Sequence, residues 1–502
     1  MKKLILFFIL ICFENIKAQS YFNQIYGRAD SVEIAISPIE TQDSGFVFPF
    51  YYRAVSQYAN QIVIMKVDKH GNKLWHNAHS ANNSLYQPGK FIPYGTDSLL
   101  LVGSEYFADS AKVYLELLDP LGNLIWKKNY TNGSLSYIGV DIAKTNEGSF
   151  LICGFDEDWN VGTNQPVPGQ MVVYKIDNGG NIIWETTWGS SYLVEGGHSI
   201  TETQDNGCLV AGVKIHPGGG DFVGLVVKFD SLGIFQWKKE FGIDIHREAF
   251  NKILPTYDGN ILLVGGFSYD GWDNPPTYLS GRGGILAKID PEGDTLWFKK
   301  YEGETQQMAF LDALEMPDHS IMVVGENQTA GGYTSLMKFD EDGNLIWHQY
   351  YDRNPNLSEI LFSLIKTQDK GFLMAGQAFP IVPPDQSNAT DAWLLKVDSV
   401  GCPEPLCVMP VAVDDPPQIE VSHLEVYPNP FTAALHIFLP PEVTYKDCRI
   451  RISDTAGRVF ITQETKGNDE VILPTEQLPS GIYLVTVEAE GYRGVEKVVK
   501  IN

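Results

Sequence analysis

The chain has 502 residues, of which 44% are hydrophobic and 12% aromatic, and its formal net charge at pH 7 is -25. This length and composition allow a large buried core and favour a folded protein of more than one domain. Nucleic acid and anionic membranes carry the same sign of charge as such a surface, so both are excluded as expected partners.

The N-terminal segment 1–18 has the pattern of a secretory signal peptide. Lys2 and Lys3 precede an apolar run at 4–13, and Ala18 is a small residue suited to cleavage. The run is too short for a good membrane span. We therefore expect residues 1–18 to be removed and the mature protein to be exported.

Two turn motifs recur along the following part of the chain. In the first, Thr-x-Asp-x-Gly precedes an apolar run; in the second, Asp-x-x-Gly has a Trp at a fixed distance after the Asp. Each motif predicts a hairpin, and each repeated unit therefore four strands, A to D. The first motif begins at Thr41, Tyr94, Thr145, Thr203, Thr256, Met316 and Thr367. The second occurs at Asp68/Trp75, Asp119/Trp126, Asp177/Trp184, Asp230/Trp237, Asp290/Trp297 and Asp340/Trp347, and Asp398 has the turn without the Trp.

The spacing of these motifs predicts an all-β fold, a seven-bladed β-propeller with four-stranded blades at residues 19–402. The interval from each Trp to the next Thr motif is constant at 75–94, 126–145, 184–203, 237–256 and 297–316, and it is one residue longer at 347–367. The variation in length lies between strands B and C. There, the interval from the end of strand B to the Trp is shortest at 325–347 and longest at 265–297.

The N-terminus has the pattern of a strand D that lacks its own A, B and C. Phe22 precedes Thr41 by the same interval that separates each Trp from the next Thr motif, whereas the last unit has Pro405 where its Trp is expected. The two fragments complement each other, so residues 21–27 are predicted to form the outer strand of the seventh blade. This arrangement leaves the ring without an open end.

The Asp-x-x-Gly-x-x-x-Trp motif resembles the tryptophan-docking motif of quinoprotein dehydrogenases and, less closely, the Asp-box of sialidases. It is one residue shorter between Asp and Gly than the former and one residue longer than the latter. We therefore interpret each Trp as packing between blades and each Asp as ordering its own turn. The units also resemble ring-forming repeats of secreted bacterial proteins.

Two cysteines stand close together where the repeats end. Cys402 and Cys407 lie in Cys-Pro-Glu-Pro-Leu-Cys, and the exported compartment permits disulfides, so we predict a bond between them. Cys153 and Cys208 fall in apolar strands and are expected to be buried thiols. Residues 403–421 are proline-rich and are predicted to form a linker.

The last part of the chain, 422–502, has short alternating strands and predicts a small C-terminal β-sandwich. Its motifs Val-Tyr-Pro-Asn-Pro-Phe at 426–431, Asp-Thr-Ala-Gly-Arg-Val at 454–459, Leu-Pro-Ser-Gly-Ile-Tyr at 478–483 and Lys-Val-Val-Lys at 497–500 resemble the type A C-terminal sorting domain of the type IX secretion system of Bacteroidota. The resemblance implies export by the type IX machinery, removal of the domain, and release or attachment to surface lipopolysaccharide. It assigns the sorting signal to Pro428, Asn429, Pro430, Gly457, Gly481, Tyr483, Lys497 and Lys500. Asp109-Ser110-Ala111 resembles an O-glycosylation signal of the same bacteria, which implies modification at Ser110.

The leading functional hypothesis is a secreted or surface-displayed binding or adhesion propeller without chemistry of its own. Its long B–C loops, at 156–169, 269–284 and 379–391, lie on one face of a rigid scaffold, where recognition is usually placed. Trp159, Trp272 and Tyr278 in these loops are candidate residues for stacking on a polysaccharide or protein ligand; the alternative is that they pin the loops to the blades. Two other classes stay open, a hydrolase or lyase with its site at the channel mouth, and a structural surface-layer protein.

A weaker hypothesis concerns a metal at the channel mouth. Glu33, Glu195 and Glu248 follow the repeated aromatic at one fixed distance, and Glu359 takes the same place after a one-residue insertion. Carboxylates brought together around a narrow opening suit Ca²⁺. The alternative is that each Glu caps backbone amides of its own loop.

Overall fold

A computed structural model describes the chain in ranges: 19–27, 31–54, 60–80, 85–95, 98–107, 111–131, 137–156, 169–190, 193–215, 222–242, 247–268, 283–302, 308–327, 333–351, 353, 359–379, 390–404, 421–439, 447–454, 459–466, 470–489 and 492–501. The chain divides into two compact units, Met1–Val413 and Asp414–Asn502. The predicted signal peptide and most of the predicted linker lie outside the described ranges. Within those ranges, no helix is long and apolar enough to cross a membrane.

The described residues of the first unit form seven antiparallel sheets, which is consistent with the predicted propeller. Each sheet has four strands, A to D, and blade 1 has an additional short strand, β3. The strands of blades 1 to 3 are β2 (Ser31–Ala35), β3 (Ile39–Glu40), β4 (Phe46–Ala54), β5 (Asn60–Val67), β6 (Lys73–Ser80); β7 (Leu85–Tyr94), β8 (Ser98–Tyr106), β9 (Ala111–Leu118), β10 (Leu124–Tyr130); β11 (Tyr137–Lys144), β12 (Phe150–Asp156), β13 (Met171–Ile176) and β14 (Ile182–Trp188). Those of blades 4 to 7 are β15 (Val194–Glu202), β16 (Cys208–Ile215), β17 (Phe222–Phe229), β18 (Phe235–Phe241); β19 (Arg247–Pro255), β20 (Ile261–Ser268), β21 (Gly283–Ile289), β22 (Thr295–Glu302); β23 (Met308–Glu315), β24 (Ile321–Asn327), β25 (Tyr333–Phe339), β26 (Leu345–Tyr351); β27 (Ile360–Lys366), β28 (Phe372–Ala378), β29 (Asp391–Val397) and β1 (Phe22–Tyr26).

The N-terminal strand β1 completes the last blade, as the sequence predicted. Strand β1 pairs antiparallel with β29, with Phe22 opposite Lys396 and Tyr26 opposite Ala392. Further contacts tie the N-terminus to this blade, because the Ser20 backbone N–H donates to Asp369 Oδ2 at 2.9 Å. Blade 7 is therefore built from both ends of the propeller sequence.

The repeated aromatic residues link each blade to the next. Each ring lies against the turn glycine of the following blade, and a Cβ added to that glycine would come within 3.4 Å of the ring. All seven glycines also have positive φ, which favours glycine at these positions. The interpretation of the Trp residues as inter-blade packing is therefore confirmed, and the contacts close the ring through seven blades. They are Phe22–Gly71, Trp75–Gly122, Trp126–Gly180, Trp184–Gly233, Trp237–Gly293, Trp297–Gly343 and Trp347–Gly401.

Each Asp-x-x-Gly turn is ordered by its own aspartate, as predicted. In blade 6, Asp340 Oδ1 accepts the N–H groups of Asp342 at 3.0 Å and Asn344 at 2.7 Å. Its Oδ2 accepts the Asn344 side-chain amide at 2.8 Å. The carboxylate thus accepts hydrogen bonds from backbone N–H groups of the turn, which lie outside the hydrogen-bonded pairing of the strands. The equivalent bonds recur at Asp68, Asp119, Asp177, Asp230 and Asp398.

A lysine near the end of strand C ties the two turns of a blade together. It stands two residues before the Asp-x-x-Gly turn and forms an ion pair with the acidic residue of the Thr-x-Asp-x-Gly turn. In blade 7, Lys396 is fully buried and lies 3.0 Å from Asp369. Blade 2 has Leu117 at this position and lacks the pair. The pairs are Lys66–Asp43, Lys175–Glu147, Lys228–Asp205, Lys288–Asp258, Lys338–Asp318 and Lys396–Asp369.

These pairs predict that the propeller loses stability in acid. Burial raises the pKa of Asp369, but hydrogen bonds from Thr367, the Ser20 N–H and Lys396 outweigh it and lower the pKa to about 2. Because this value is below the roughly 3.9 of an unfolded aspartate, the stabilisation is present above about pH 4 and is lost as the pH falls towards 2.

The measurement is the melting temperature of wild type and Asp369→Asn as a function of pH. We expect the variant to melt lower at pH 7, and the difference to shrink between about pH 4 and pH 2. Asp294→Asn is the matched control, because the Asp294 side chain is 74% exposed. A difference at Asp369 that is the same at pH 7 and pH 2 would contradict the prediction.

The second unit is a small sandwich of two sheets, as predicted. Five strands form one sheet in the order β30-β37-β36-β33-β34, and three form the other in the order β31-β32-β35. Side chains of both sheets, including Leu435, Ile450, Tyr483 and Val485, share one buried core. The strands are β30 (Val421–His423), β31 (Glu425–Tyr427), β32 (Ala434–Phe438), β33 (Asp447–Asp454), β34 (Val459–Lys466), β35 (Glu470–Pro474), β36 (Gly481–Ala489) and β37 (Tyr492–Lys500).

Candidate functional site

Several predicted site residues lie outside the described part of the chain. These are Trp159, Trp272, Tyr278, Ser110, Gly457 and Cys407. Cys402 is disulfide-bonded and 3% exposed, while Cys153, Cys208 and Cys448 are buried thiols. The pairing of Cys402 with Cys407 therefore stays a prediction.

The connections between strands differ sharply between the two faces of the propeller. The C–D connection has the same length in each of blades 1 to 6, as at 68–72 between Val67 and Lys73. The B–C connection varies in length, from the short 107–110 of blade 2 to the long 157–170 of blade 3 and 269–282 of blade 5. In an antiparallel four-stranded blade the B–C and D–A connections emerge on the same face. That face, named here the long-loop face, is the one on which variation in loop length accumulates.

The four glutamates predicted at the channel mouth are buried, with at most 2% exposure. Glu195 Oε2 accepts the Ser190 N–H at 2.6 Å, and Glu359 Oε2 accepts the Arg353 N–H at 3.0 Å, so both cap their own D–A loops. Glu33 Oε1 accepts the Ser31 hydroxyl at 2.7 Å. Glu248 Oε1 accepts the Lys300 ammonium at 2.5 Å. Each carboxylate thus has a hydrogen-bond partner, which is a neighbour in sequence for Glu33, Glu195 and Glu359 and a residue of β22 for Glu248.

Metal binding by these glutamates stays a prediction. Over the residues with a described placement, no group of three or more His, Cys, Asp or Glu side chains is arranged to hold a metal ion. The capping interpretation accounts directly for Glu195 and Glu359.

The structure also contains a second polar cluster, which the sequence did not reveal. It takes one residue from each blade, located in strand A or just after it. In blades 2 to 7 the pairing of strand A with strand B shifts by one residue at the same level, which marks a β-bulge. The residue after each bulge belongs to a group named here the axial girdle; Ser37 takes this place in blade 1, where its N–H donates to Ser363 Oγ at 3.1 Å. The girdle consists of Ser37, Lys90, Asp141, Ser199, Lys252, Asp312 and Ser363.

The charged members of the axial girdle pair with one another. Lys90 Nζ lies 2.6 Å from Asp141 Oδ1, and Ser199 Oγ donates to Asp141 Oδ2 at 2.7 Å. Lys252 Nζ lies 3.2 Å from Asp312 Oδ1. Burial raises the pKa of Asp141, but attraction to Lys90 and Lys252 and the Ser199 hydrogen bond outweigh it and lower the pKa. Two ammonium groups and two carboxylates therefore balance their charges at the centre of the ring.

We expect Asp141→Ala to destabilise the propeller by about 3 kcal/mol, because the change leaves the Lys90 ammonium without its charge partner. The measurement is the free energy of unfolding in denaturant. The double variant Lys90→Met, Asp141→Leu removes both charges, so it is expected to recover part of the loss. Equal losses in the single and double variants would show that the ion pair is not what the substitution disturbs.

In the second unit, three predicted sorting residues hold the domain's own fold together. The Asn429 side-chain amide donates to Lys497 O at 2.9 Å, and its oxygen accepts the Val499 N–H at 2.9 Å. The buried Tyr483 hydroxyl donates to Pro479 O at 2.8 Å. The buried Lys500 ammonium donates to Thr432 O. Of the others, Pro428, Pro430, Gly481 and Lys497 are exposed.

The architecture defines a β-propeller protein with a separate small β-sandwich unit. Residues 425–501 match the family model described as Secretion system C-terminal sorting domain. The predicted sorting domain is therefore confirmed, and the protein is exported by type IX secretion to the cell surface or beyond. No curated protein matches the chain.

Solved structures similar to the chain include several propellers, all at low identity. An ulvan lyase of a polysaccharide lyase family is 9% identical with a TM-score of 0.49, covering 75% of this chain and 96% of that one. The propeller domain of the Trilobed protease from Pyrococcus furiosus is 9% identical with a TM-score of 0.39, covering 70% and 91%. The WD40 domain of coronin from Toxoplasma gondii is 10% identical with a TM-score of 0.42, covering 78% and 89%. Similarity at this level carries no argument about the activity of this chain.

Proposed function

We propose that the propeller is a non-enzymatic binding protein, displayed on the cell surface or released, and that it recognises a polysaccharide or protein through the long-loop face. The observation that carries the proposal is the contrast between the two faces. One face has short C–D turns of equal length, ordered by the same aspartate bonds, whereas the B–C connections range from 107–110 to 157–170 and 269–282. Variable loops on a rigid scaffold are where propellers and other folds place recognition.

The axial girdle supports a binding role over transport or chemistry along the axis. Its lysines and aspartates are engaged with one another, at 2.6 Å between Lys90 and Asp141 and 3.2 Å between Lys252 and Asp312. A general base or nucleophile needs a group that is available to the substrate and whose protonation is matched to its task, whereas these groups are held in ion pairs. A ligand is then expected to rest on the face of the propeller rather than to enter the centre.

The test compares the mature protein with a variant in which 157–168 and 270–281 are each replaced by a short turn of the length found in blade 6. Both proteins are applied to arrays of neutral, uronate-containing and sulfated polysaccharides and of extracellular-matrix proteins. We expect at least one class of probe to bind the wild type and to lose about tenfold or more in affinity with the variant.

The matched control shortens no loop but exchanges the C–D turn of blade 3 for that of blade 6, on the opposite face. Its binding is expected to equal that of the wild type. Binding that survives loop replacement, or cleavage of an arrayed polysaccharide or protein by the wild type, would overturn the proposal. Cleavage would favour the alternative of a hydrolase or lyase; assembly without ligand binding would favour a surface-layer role.

A further inference from the structure

The sorting domain has an aromatic face on its three-stranded sheet, in which Tyr427 and Ile472 are exposed and His436 and Phe438 are half-buried. The face, named here the outer aromatic face, consists of Tyr427, His436, Phe438 and Ile472. Tyr427 pairs with His436 across β31 and β32, and His436 pairs with Ile472 across β32 and β35. The Tyr427 ring is nearly parallel to those of His436 and Phe438, with centroid distances of 4.9 and 5.2 Å.

The residues that alternate with this face form the core of the domain. Leu435, Ile437 and Leu473 are fully buried, whereas Tyr427 is 46% and Ile472 53% exposed. A sheet whose inner side is buried normally presents polar residues to water on its other side. An apolar and aromatic outer side is instead characteristic of an interaction surface.

Charge distinguishes this part of the chain from the propeller. Residues 422–502 contain 11 acidic and eight basic residues, a net charge of -3 out of the -25 of the whole chain. On the outer aromatic face itself, the charge of Glu470 is directed at His436, whose Nδ1 lies 2.6 Å from Glu470 Oε1. The face therefore matches an uncharged, apolar protein surface better than a strongly basic or acidic one.

The sorting function requires that a component of the secretion system contact this domain. Asn429, Tyr483 and Lys500 use their polar groups within the fold, on Lys497, Val499, Pro479 and Thr432. Those motif residues shape the domain and leave contact with the machinery to exposed side chains. Tyr427 directly precedes Pro428, so the outer aromatic face is continuous with the exposed part of the motif.

We propose that the outer aromatic face is the surface by which the type IX secretion machinery binds this protein, through an apolar and uncharged surface of the machinery's receptor protein. Aromatic rings held parallel by the sheet provide a large, rigid contact area with little loss of side-chain entropy on binding. This inference concerns export alone and does not depend on the ligand of the propeller.

The test follows export of the full chain in its own host, with quantitative blotting of periplasm, cell surface and medium. In the triple variant Tyr427→Ser, Phe438→Ser, Ile472→Ser, we expect the exported fraction to fall about tenfold or more, with intact protein accumulating in the periplasm. Protease resistance of the sorting domain in the periplasmic protein shows that the domain is folded. The single variant Ile472→Lys changes only an exposed position and is expected to reduce export in the same direction.

The matched control is Thr462→Lys, because Thr462 is exposed, lies in β34 of the other sheet and belongs to none of the four sorting motifs. It is expected to be exported as the wild type is. Normal export of the triple variant would overturn the proposal, and so would an equal loss in the control. If the sorting domain of the triple variant is protease-sensitive, the exported fraction of Ile472→Lys tests the proposal instead: a reduced fraction supports it and a normal fraction overturns it. Normal export of the triple variant with loss of its retention on the cell surface would also overturn the proposal. That result would indicate that the outer aromatic face binds a surface glycan.

Discussion

Deleting residues 22–26 from the mature protein is expected to lower the free energy of unfolding of the propeller by more than about 5 kcal/mol, because truncation of a single buried aromatic costs roughly 3–5 kcal/mol. The deletion removes Phe22, which is 6% exposed and contacts Phe46 of blade 1 at a ring distance of 5.8 Å. It also removes Tyr26, whose hydroxyl donates to Gly71 O at 2.7 Å. Finally, it exposes β29 as an unpaired edge, which favours aggregation.

Point variants separate the packing of the strand from its pairing. Phe22→Ala keeps the backbone of β1 and removes its main contact with Gly71 and Phe46, so we expect a loss of about 3 kcal/mol. Gln24→Ala is the matched control, because Gln24 lies on the same side of the strand as Phe22 but is exposed. The measurements are denaturant unfolding and light scattering during heating. An unchanged melt of the deletion variant would mean that the ring does not depend on β1 for its closure.

The architecture of the propeller was predictable because its turn chemistry repeats in the sequence. Asp and Gly in Asp340-x-x-Gly343 mark the turn, and the constant spacing to Trp347 marks the blade. Even the closing strand followed from counting back to Phe22. Two further regular signals acquire a meaning only in the structure: the lysine two residues before the turn, such as Lys396, and a hydrogen-bonding residue four after the repeated aromatic. Tyr26, His79, Tyr130, Tyr301 and Tyr351 stand at that second position and bond the glycine carbonyl of the next blade.

The axial girdle was not predictable in the same way. Its residues, such as Lys90, Asp141 and Ser199, differ in type from blade to blade, so no repeat marks them. In blades 2 to 7 they meet because a β-bulge lies at the same level of the first strand, and a bulge depends on three-dimensional pairing rather than on local propensity. By contrast, Glu195 and Glu359 were identified by their fixed distance from the repeated aromatic residue. That distance did not predict their hydrogen bonds, and the structure shows that each accepts a backbone N–H of its own loop.

The sorting domain illustrates the difference between a motif and a surface. Four motifs identified it, and Asn429 and Tyr483 proved to be residues that hold β37 and the core in place. Such residues are restricted in type because of the bonds they make within the fold. The outer aromatic face became visible only when β31, β32 and β35 were placed side by side, since Tyr427, His436 and Ile472 come from three separate segments.

Removing residues 422–502 is expected to abolish export across the outer membrane without unfolding the propeller. The chain divides into two compact units after Val413, and among the described strands the blades share no sheet with β30 to β37. The truncated protein should therefore melt as the propeller of the full chain does, and it should accumulate in the periplasm because it lacks the sorting domain that type IX export recognises. The measurements are calorimetry of the purified protein and blotting of cell fractions. Full-length Gln24→Ala, processed in parallel, controls for a general effect of mutation on export.

Normal amounts of truncated protein at the cell surface would contradict the role of residues 422–502 in export. Loss of the propeller's melting transition would instead contradict the independent folding of the propeller. The two measurements therefore test the two conclusions separately.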